Sequence, residues 1–268
     1  QVIHDTSVYD YVDGKLDRSE AYTYAEEGIA KILQENPSIE VVIDLHRDGV
    51  AETTHLLTEV DGKKMLIDSG ITDLAERFPA GSLSHILQTH YHADHVQGLL
   101  HLRWGKGDTI PVTGPQDEHG FADLFKHSGI LDFSHTLQHG DVWQWQGITV
   151  TALALNHSKP TLGYVFCSDK SRVAYLTDTV GLPDATLAYL AGMRLNCLII
   201  DCAHPPQGET PRNHNDFNVV RYLVGVLRCD EVILTHIGHE MDAWAEQNSK
   251  DVSAPFVLAR DGMHRVFE

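Results

Sequence analysis

The spacing of apolar positions along this chain changes period several times, and each change predicts an element. Over 23–33, Ala25, Ile29 and Ile32 share one helical face, Thr23 and Glu26 form a capping box, and Asn36-Pro37 stops the run. That pattern predicts a helix. Short apolar runs predict strands at 41–45, 56–60, 65–68 and 86–89, with Asp61-Gly62 as a two-residue hairpin turn between the second and third. A hairpin is expected over 143–155. The continuous apolar runs at 197–201 and 232–235 are of the kind that lies buried inside a sheet. Helices are expected at 184–191 and 215–227, the latter with Phe217, Val220, Val224 and Leu227 along one side. Strands interleaved with helices make the chain α/β (α+β). There are no repeats, no low-complexity tracts and no Pro/Gly/Ser-rich linker.

The chemistry concentrates in Thr89-His90-Tyr91-His92-Ala93-Asp94-His95, three imidazoles and a carboxylate within a few residues of the apolar pair Ile86-Leu87. Strand alternation would bring His90 and His92 to one side. A turn at Ala93 would then let Asp94 and His95 open a helix with apolar Val96, Leu99 and Leu100. Two adjacent cations suit this spacing, one on His90 and His92 and the other on Asp94 and His95. The ligand types fit zinc, with iron or manganese next. His157, Asp178 and His236 each follow or end a further apolar run, where sheets of mixed type collect their chemistry. Together these residues predict a two-metal site.

In that order, Thr89 to His95, Asn156-His157-Ser158-Lys159, Thr177-Asp178-Thr179 and Leu234 to His239 resemble the metallo-β-lactamase superfamily. The resemblance implies an αββα sandwich, two sheets flanked by helices. It implies one metal on His90, His92 and His157, a second on Asp94, His95 and His236, and Asp178 bridging them, with a water or hydroxide between the cations as nucleophile. Within the superfamily, Leu102-Arg103-Trp104-Gly105, Phe125-Lys126-His127, Leu131 to His135, Asp201 to Pro206, Arg212-Asn213-His214 and His239 to Trp244 resemble one group. It is the phosphoribosyl 1,2-cyclic phosphate phosphodiesterase of the carbon–phosphorus lyase pathway. The likeness runs from about residue 65 to the C-terminus and gives His214 the role of general acid.

Phosphodiester cleavage at two divalent ions needs a nucleophilic water of lowered pKa and a proton for the leaving alkoxide. The candidate catalytic residues are therefore His214 and, at the metals, Asp94. Arg212 and Lys159 are candidate phosphate contacts, and His204 a residue that orients a ligand. The cofactors expected are two divalent ions, zinc or manganese. The substrate expected is a small phosphorylated sugar, 5-phosphoribosyl 1,2-cyclic phosphate, opened to ribose 1,5-bisphosphate in phosphonate degradation.

The first quarter reads differently. Val2 to Tyr11 and Asn36 to Gly49 resemble stage II sporulation protein P, a zinc-dependent cell-wall amidase. His46 matches a histidine that helps that family bind zinc, but the family's upstream His-rich motif is absent, so no amidase activity is expected. The phosphodiesterase group opens with a Gly-rich strand and a Cys-rich loop holding a structural zinc, and neither is present. His239 matches the histidine partner of those cysteines and is left without them. The expected organisation is a foreign leading segment at 1–60 and a metallo-β-lactamase-fold domain at 61–268, with a junction between 50 and 65.

Composition bounds the rest. With 268 residues, 42% of them hydrophobic, the chain can build a sizeable core. Cys167, Cys197, Cys202 and Cys229 fall in no paired metal or redox spacing, which favours free thiols in a reducing, cytoplasmic setting. Neither a signal peptide nor a run long enough to span a bilayer is present, so no membrane association is expected. Residue 1 is Gln, so the N-terminus is expected to be trimmed or to belong to a longer product. Net charge is −18, and residues 1–64 hold 6 basic against 14 acidic side chains. Such acidity argues against binding nucleic acid, which needs clustered Lys and Arg. Homodimerisation stays open. Two other readings stand beside the phosphodiesterase: a thioester hydrolase, RNA phosphodiester hydrolase or diiron redox protein on the same ligands, and a non-catalytic hybrid chain whose metal site is incomplete.

Overall fold

Period-two runs become strands of two sheets, and the helical runs become the layers outside them. The computed structural model describes residues 11–12, 15–16, 31, 56–60, 63–79, 81–209, 211–260, 263 and 265–267. The chain divides into two compact units, Gln1–Arg47 and Asp48–Glu268. In the first, β1 (Tyr11–Val12) pairs antiparallel with β2 (Lys15–Leu16). The helix expected over 23–33, the strand over 41–45, His46 and the Asp61-Gly62 turn lie outside the described residues, apart from a helical Lys31.

In the second unit, one sheet has the order β3 (Leu56–Val60), β4 (Lys63–Ile67), β5 (His85–Leu87), β6 (Ile110–Pro115), β7 (Leu131–Asp132), with β8 (Thr136–Leu137) also on β6. The other runs β15 (Phe256–Leu258), β14 (Arg228–Thr235), β13 (Arg194–Asp201), β12 (Arg172–Leu176), β11 (Leu162–Cys167), β10 (Ile148–Ala154), β9 (Val142–Trp145). β9 and β10 form the hairpin expected at 143–155. Trp145 pairs with Ile148 across Gln146 and Gly147, both left-handed (φ 46° and 82°), as a two-residue type I′ turn requires.

Three apolar clusters hold the layers together. Met65, Ile67 and Leu87 of the first sheet meet Val150, Tyr164, Phe166, Tyr175 and Ile199 of the second, which places the two sheets face to face. On the outer face of the second sheet, Leu176, Leu198, Ile200 and Leu234 pack on α5 (Asp184–Ala191), α6 (Phe217–Val226) and α7 (His239–Gln247) through Leu190, Phe217, Val220, Leu223 and Met241. On the outer face of the first, Leu66, Ile86 and Val112 pack on α1 (Leu74–Arg77), α2 (Ala93–Val96), α3 (Leu99–Leu102) and α4 (Ala122–Lys126) through Leu74, Val96, Leu99 and Leu124. The result is the αββα order. Burying each large side chain contributes about 1.5–3 kcal/mol, so the apolar alternation that marks the strands also drives the stacking.

Two local expectations are corrected. The strand ahead of the histidine cluster ends at Leu87, so His90 and His92 stand on irregular backbone rather than alternating along β5. The helix expected to run from Asp94 through Leu100 is broken into α2 and α3 at Gln97-Gly98. The physical cause is Gly98. Its N–H leaves the helical ladder and donates to the Ser69 carbonyl at 2.9 Å. A Cβ there would overlap the carbonyl oxygens of Ile71 and Ser69, so only glycine permits this approach. The loop after β4 is thereby locked to the metal-cluster segment.

Candidate metal centre

The site forms where strand ends from both sheets meet. Asp68 follows β4, the 88–95 segment follows β5, Asp178 follows β12, Asp201 ends β13 and His236 follows β14. Asp68, Asp178 and His236 have left-handed backbones (φ 58°, 60° and 55°). Such conformations cost free energy in non-glycine residues and are retained where side chains must be aimed at a site.

The residues fall into the two groups the sequence implied. His90, His92 and His157 bring ligand atoms within 4.8 Å of one another, as do Asp94, His95, Asp178 and His236. In the first group, His92 Nδ1 lies 2.8 Å from His90 Nε2 and 3.1 Å from His157 Nε2, so three imidazole nitrogens converge on one point. Burial lowers the pKa of all three, keeping them neutral as ligands must be. In the second, Asp178 Oδ2 is 3.4 Å from His95 Nε2 and 3.8 Å from His236 Nε2. The same oxygen is 3.6 Å from His90 Nε2 and 3.7 Å from His157 Nε2. One carboxylate oxygen therefore faces both groups. Burial alone would raise the pKa of Asp178, but His95 and His236 outweigh it and hold the carboxyl well below its ordinary range.

These residues fit divalent ions. His236 Nε2 is buried and has no hydrogen-bond partner among the described residues, which is costly for a ring nitrogen unless a cation takes it. Seven imidazole and carboxylate ligands around a shared oxygen are a donor set for two borderline cations.

A surrounding set of polar groups aims these ligands, and most of it was not read from the sequence. Asp68 is the principal omission. Its carboxylate lies 2.9 Å from His95 Nδ1 and accepts the Thr89 N–H at 2.8 Å and the Thr89 hydroxyl. Burial works against protonation of His95, yet Asp68 and Asp178 together raise its pKa well above the ordinary value. Thr177 donates its hydroxyl to Asp178 Oδ1 at 3.0 Å, leaving Oδ2 for the metals. The Asn213 carbonyl accepts Nδ1–H of His157 at 3.1 Å, which presents Nε2 to the site. Asp68 and Asp201 share a signal with Asp178: an acid directly after a short apolar run at a strand's C-terminal end. Outer carboxylates of this kind typically hold metal affinity up by 10–100-fold. Asp68→Asn is expected to weaken binding at the His95 position by about that factor, read by metal titration.

His214 is brought to the centre. It stacks on His236 at a ring distance of 4.3 Å, and a ring nitrogen lies within 4.8 Å of ligand atoms of His157 and Asp178. Its Nδ1 is 3.2 Å from Asp201 Oδ2. Asp201 is fully buried, and it also accepts the backbone N–H of Asn215 at 3.1 Å and its side-chain amide at 2.9 Å. Burial lowers the pKa of His214 and drives that of Asp201 well upward. The substrate candidates are less central. Arg212 is exposed, Lys159 pairs with Asp117 at 3.2 Å, and half-buried His204 joins none of the metal groups. Among the described residues no cysteine contributes to a metal group, the four cysteines are free thiols, and His239 is exposed. No helix among them is long and apolar enough to cross a membrane.

Comparison with known proteins agrees with this fold. Residues 63–239 match the family model of the β-lactamase superfamily domain, and residues 1–66 match that of stage II sporulation protein P. A ribonuclease Z from Methanosarcina acetivorans is 34% identical over 118 residues, 39% of each chain. Another from Methanosarcina mazei is 28% identical over 123 residues. The chain thus spans about two fifths of the length of the curated relatives it matches. Among solved structures, a diphosphatase of the PhnP family superposes with a TM-score of 0.65 at 25% identity, over 79% of this chain and 82% of that one. The Bacillus subtilis metallo-β-lactamase fold protein YhfI gives 0.67 at 20% identity, over 79% and 90%. With its αββα sandwich and a family match over most of its length, the chain belongs to the β-lactamase superfamily, in the metallo-β-lactamase fold.

Proposed function

We propose that this chain is a dinuclear-metal phosphodiesterase that opens a cyclic phosphate sugar, taking 5-phosphoribosyl 1,2-cyclic phosphate to ribose 1,5-bisphosphate in phosphonate degradation. The observation that carries the reading is Asp178 Oδ2, within 3.4–3.8 Å of four histidine nitrogens from two ligand groups. Two divalent ions held there, zinc or manganese by the donor set, would supply an activated water and neutralise charge on the phosphoryl oxygens. The chain's own residues provide the remainder. Thr177 and Asp68 fix the orientation of Asp178 and His95. His214, held through Nδ1 by Asp201, is placed to protonate the leaving alkoxide from Nε2.

The likeness to a diphosphatase of the PhnP family supports phosphate-ester chemistry on a small substrate. The identity with two ribonuclease Z proteins favours an RNA phosphodiester as a second reading. A net charge of −18 weighs against it, because a polyanionic strand is held mainly by clustered Lys and Arg. The deciding experiment measures metal per chain and compares turnover of 5-phosphoribosyl 1,2-cyclic phosphate with cleavage of a precursor transfer RNA. Near two ions per chain and preference for the cyclic sugar are expected. Preference for the RNA would overturn the substrate, and absence of metal would overturn the mechanism.

A further inference from the structure

β9 ends the seven-stranded sheet, and no described strand pairs with its outer edge. Its pairing with β10 decides which main-chain groups face outward. Trp145 and Ile148 close the two-residue turn, and the Asp141 carbonyl accepts the Ala152 N–H at 2.9 Å. Odd-numbered residues therefore bond to β10, which turns the N–H and C=O of Val142 and Gln144 away from the sheet. Such an edge templates further pairing unless charge, proline or a bulge blunts it. The one bulge lies just before the strand, where Gly140 and Asp141 both bond to Ala152, and the Asp141 carboxylate is turned to the Gln138 N–H at 2.8 Å. β9 itself has neither charge nor proline. The edge also carries an apolar surface. Val142 is 62% exposed, and it pairs with Thr151, whose hydroxyl lies 3.2 Å from that of exposed Tyr189 on α5. From Val142 to Ser158 the sequence holds no Asp, Glu, Lys or Arg, in a chain of net charge −18. Two copies of so acidic a chain repel each other, and least where both present an uncharged strand.

We propose that β9 is the contact between two copies of this chain, paired antiparallel about a two-fold axis at Trp143. In that register Val142 of each copy faces the partner's Gln144, and each such pair exchanges two hydrogen bonds. Moving the axis by one residue sets an outward residue against the Gly140 bulge or against left-handed Gln146, so the ladder closes fully only at Trp143. The two Trp143 Cα atoms then lie about 4.5 Å apart as a non-hydrogen-bonded pair, with each indole on the face where it meets His85. This self-complementarity selects a second copy over an unrelated strand.

The test is sedimentation equilibrium of the full chain over about 1–100 µM, where a small interface dissociates. The wild type is expected to approach twice the chain mass. Val142→Lys with Gln144→Lys sets like charges opposite one another and is expected to raise the dimer Kd about tenfold or more. Val142→Lys with Gln144→Glu sets opposite charges across the same pairs and is expected to stay within about threefold of the wild type. The first variant is the less acidic of the two, so general repulsion alone would give the opposite order. Gln144→Pro removes an outward N–H without breaking a bond to β10, and should weaken the dimer by a similar factor. It decides the matter if the doubly lysine-substituted chain does not fold. A wild type that stays monomeric overturns the proposal and leaves the edge to an extended segment of another protein. A dimer indifferent to all three variants, or weakened alike by both charged ones, overturns it too, since the register then plays no part.

Discussion

Replacing Asp178 is expected to strip metal from both positions at once, whereas replacing a histidine of one group strips one. The reason is geometric: a single Asp178 oxygen faces His90 and His157 on one side and His95 and His236 on the other. Losing an outer-sphere partner already weakens metal binding by about 10–100-fold, so losing the shared ligand should exceed a hundredfold at each position. Asp178→Ala complicates this slightly, because its left-handed backbone at φ 60° costs alanine about 1–2 kcal/mol. Asp178→Asn is the cleaner variant. Asparagine tolerates that conformation and can still accept the Thr177 hydroxyl, so only the charge and one ligand oxygen change. Elemental analysis after dialysis should then show both ions depleted, alongside loss of hydrolysis. His92→Ala should deplete the first position and leave the second largely filled. Full occupancy of both positions in Asp178→Asn would refute the bridge.

The parts of the molecule legible in the sequence are those with a strong local pattern. Runs at 184–191 and 56–60 became α5 and β3 with those bounds, since each is a short local pattern bounded by turn or cap residues. The helix read over 215–227 became α6, Phe217–Val226, shortened because Asp216 caps it by accepting the Val219 N–H. The seven residues of the two candidate ligand groups were legible because imidazoles and acids at strand ends have few other reasons to cluster. The residues that orient them were not. Asp68 and Asp201 sit far from the cluster in sequence, at 21 and 14 positions from the Thr89 and Asn215 groups they hold, and only sheet pairing brings them in. Gly98 is of the same kind: its meaning lies in Ser69 and Ile71, which no local reading of 93–102 contains. The ion pair of Lys159 with Asp117, 42 positions apart, likewise appears only once β6 and β11 are set beside the site.

Removing the imidazole of His214 is expected to leave both metals in place and slow hydrolysis of an alkoxide-leaving diester by about a hundredfold or more, the usual contribution of a positioned general acid. The placement argues for this role over simple packing. Asp201 is buried and ties up Nδ1, so Nε2 is the nitrogen available to carry a proton into the site. Whether the hydrogen between Asp201 and His214 rides on oxygen or nitrogen, a pair holding both its protons has one of them on Nε2. Leaving-group dependence makes the prediction sharp. An ester that expels p-nitrophenolate needs little protonation, so His214→Ala should slow bis(p-nitrophenyl) phosphate much less than a cyclic ribose phosphate. Asp201→Asn should show the same pattern more weakly, since it removes the carboxylate that holds the ring without removing the ring. The competing role is also defined by the structure, because His214 lies within ligand distance of His157 and Asp178. If His214 is a metal ligand, His214→Ala lowers metal content and slows both substrates alike. If it is the acid, metal content holds and the two rates separate; unchanged turnover of both would remove His214 from the mechanism altogether.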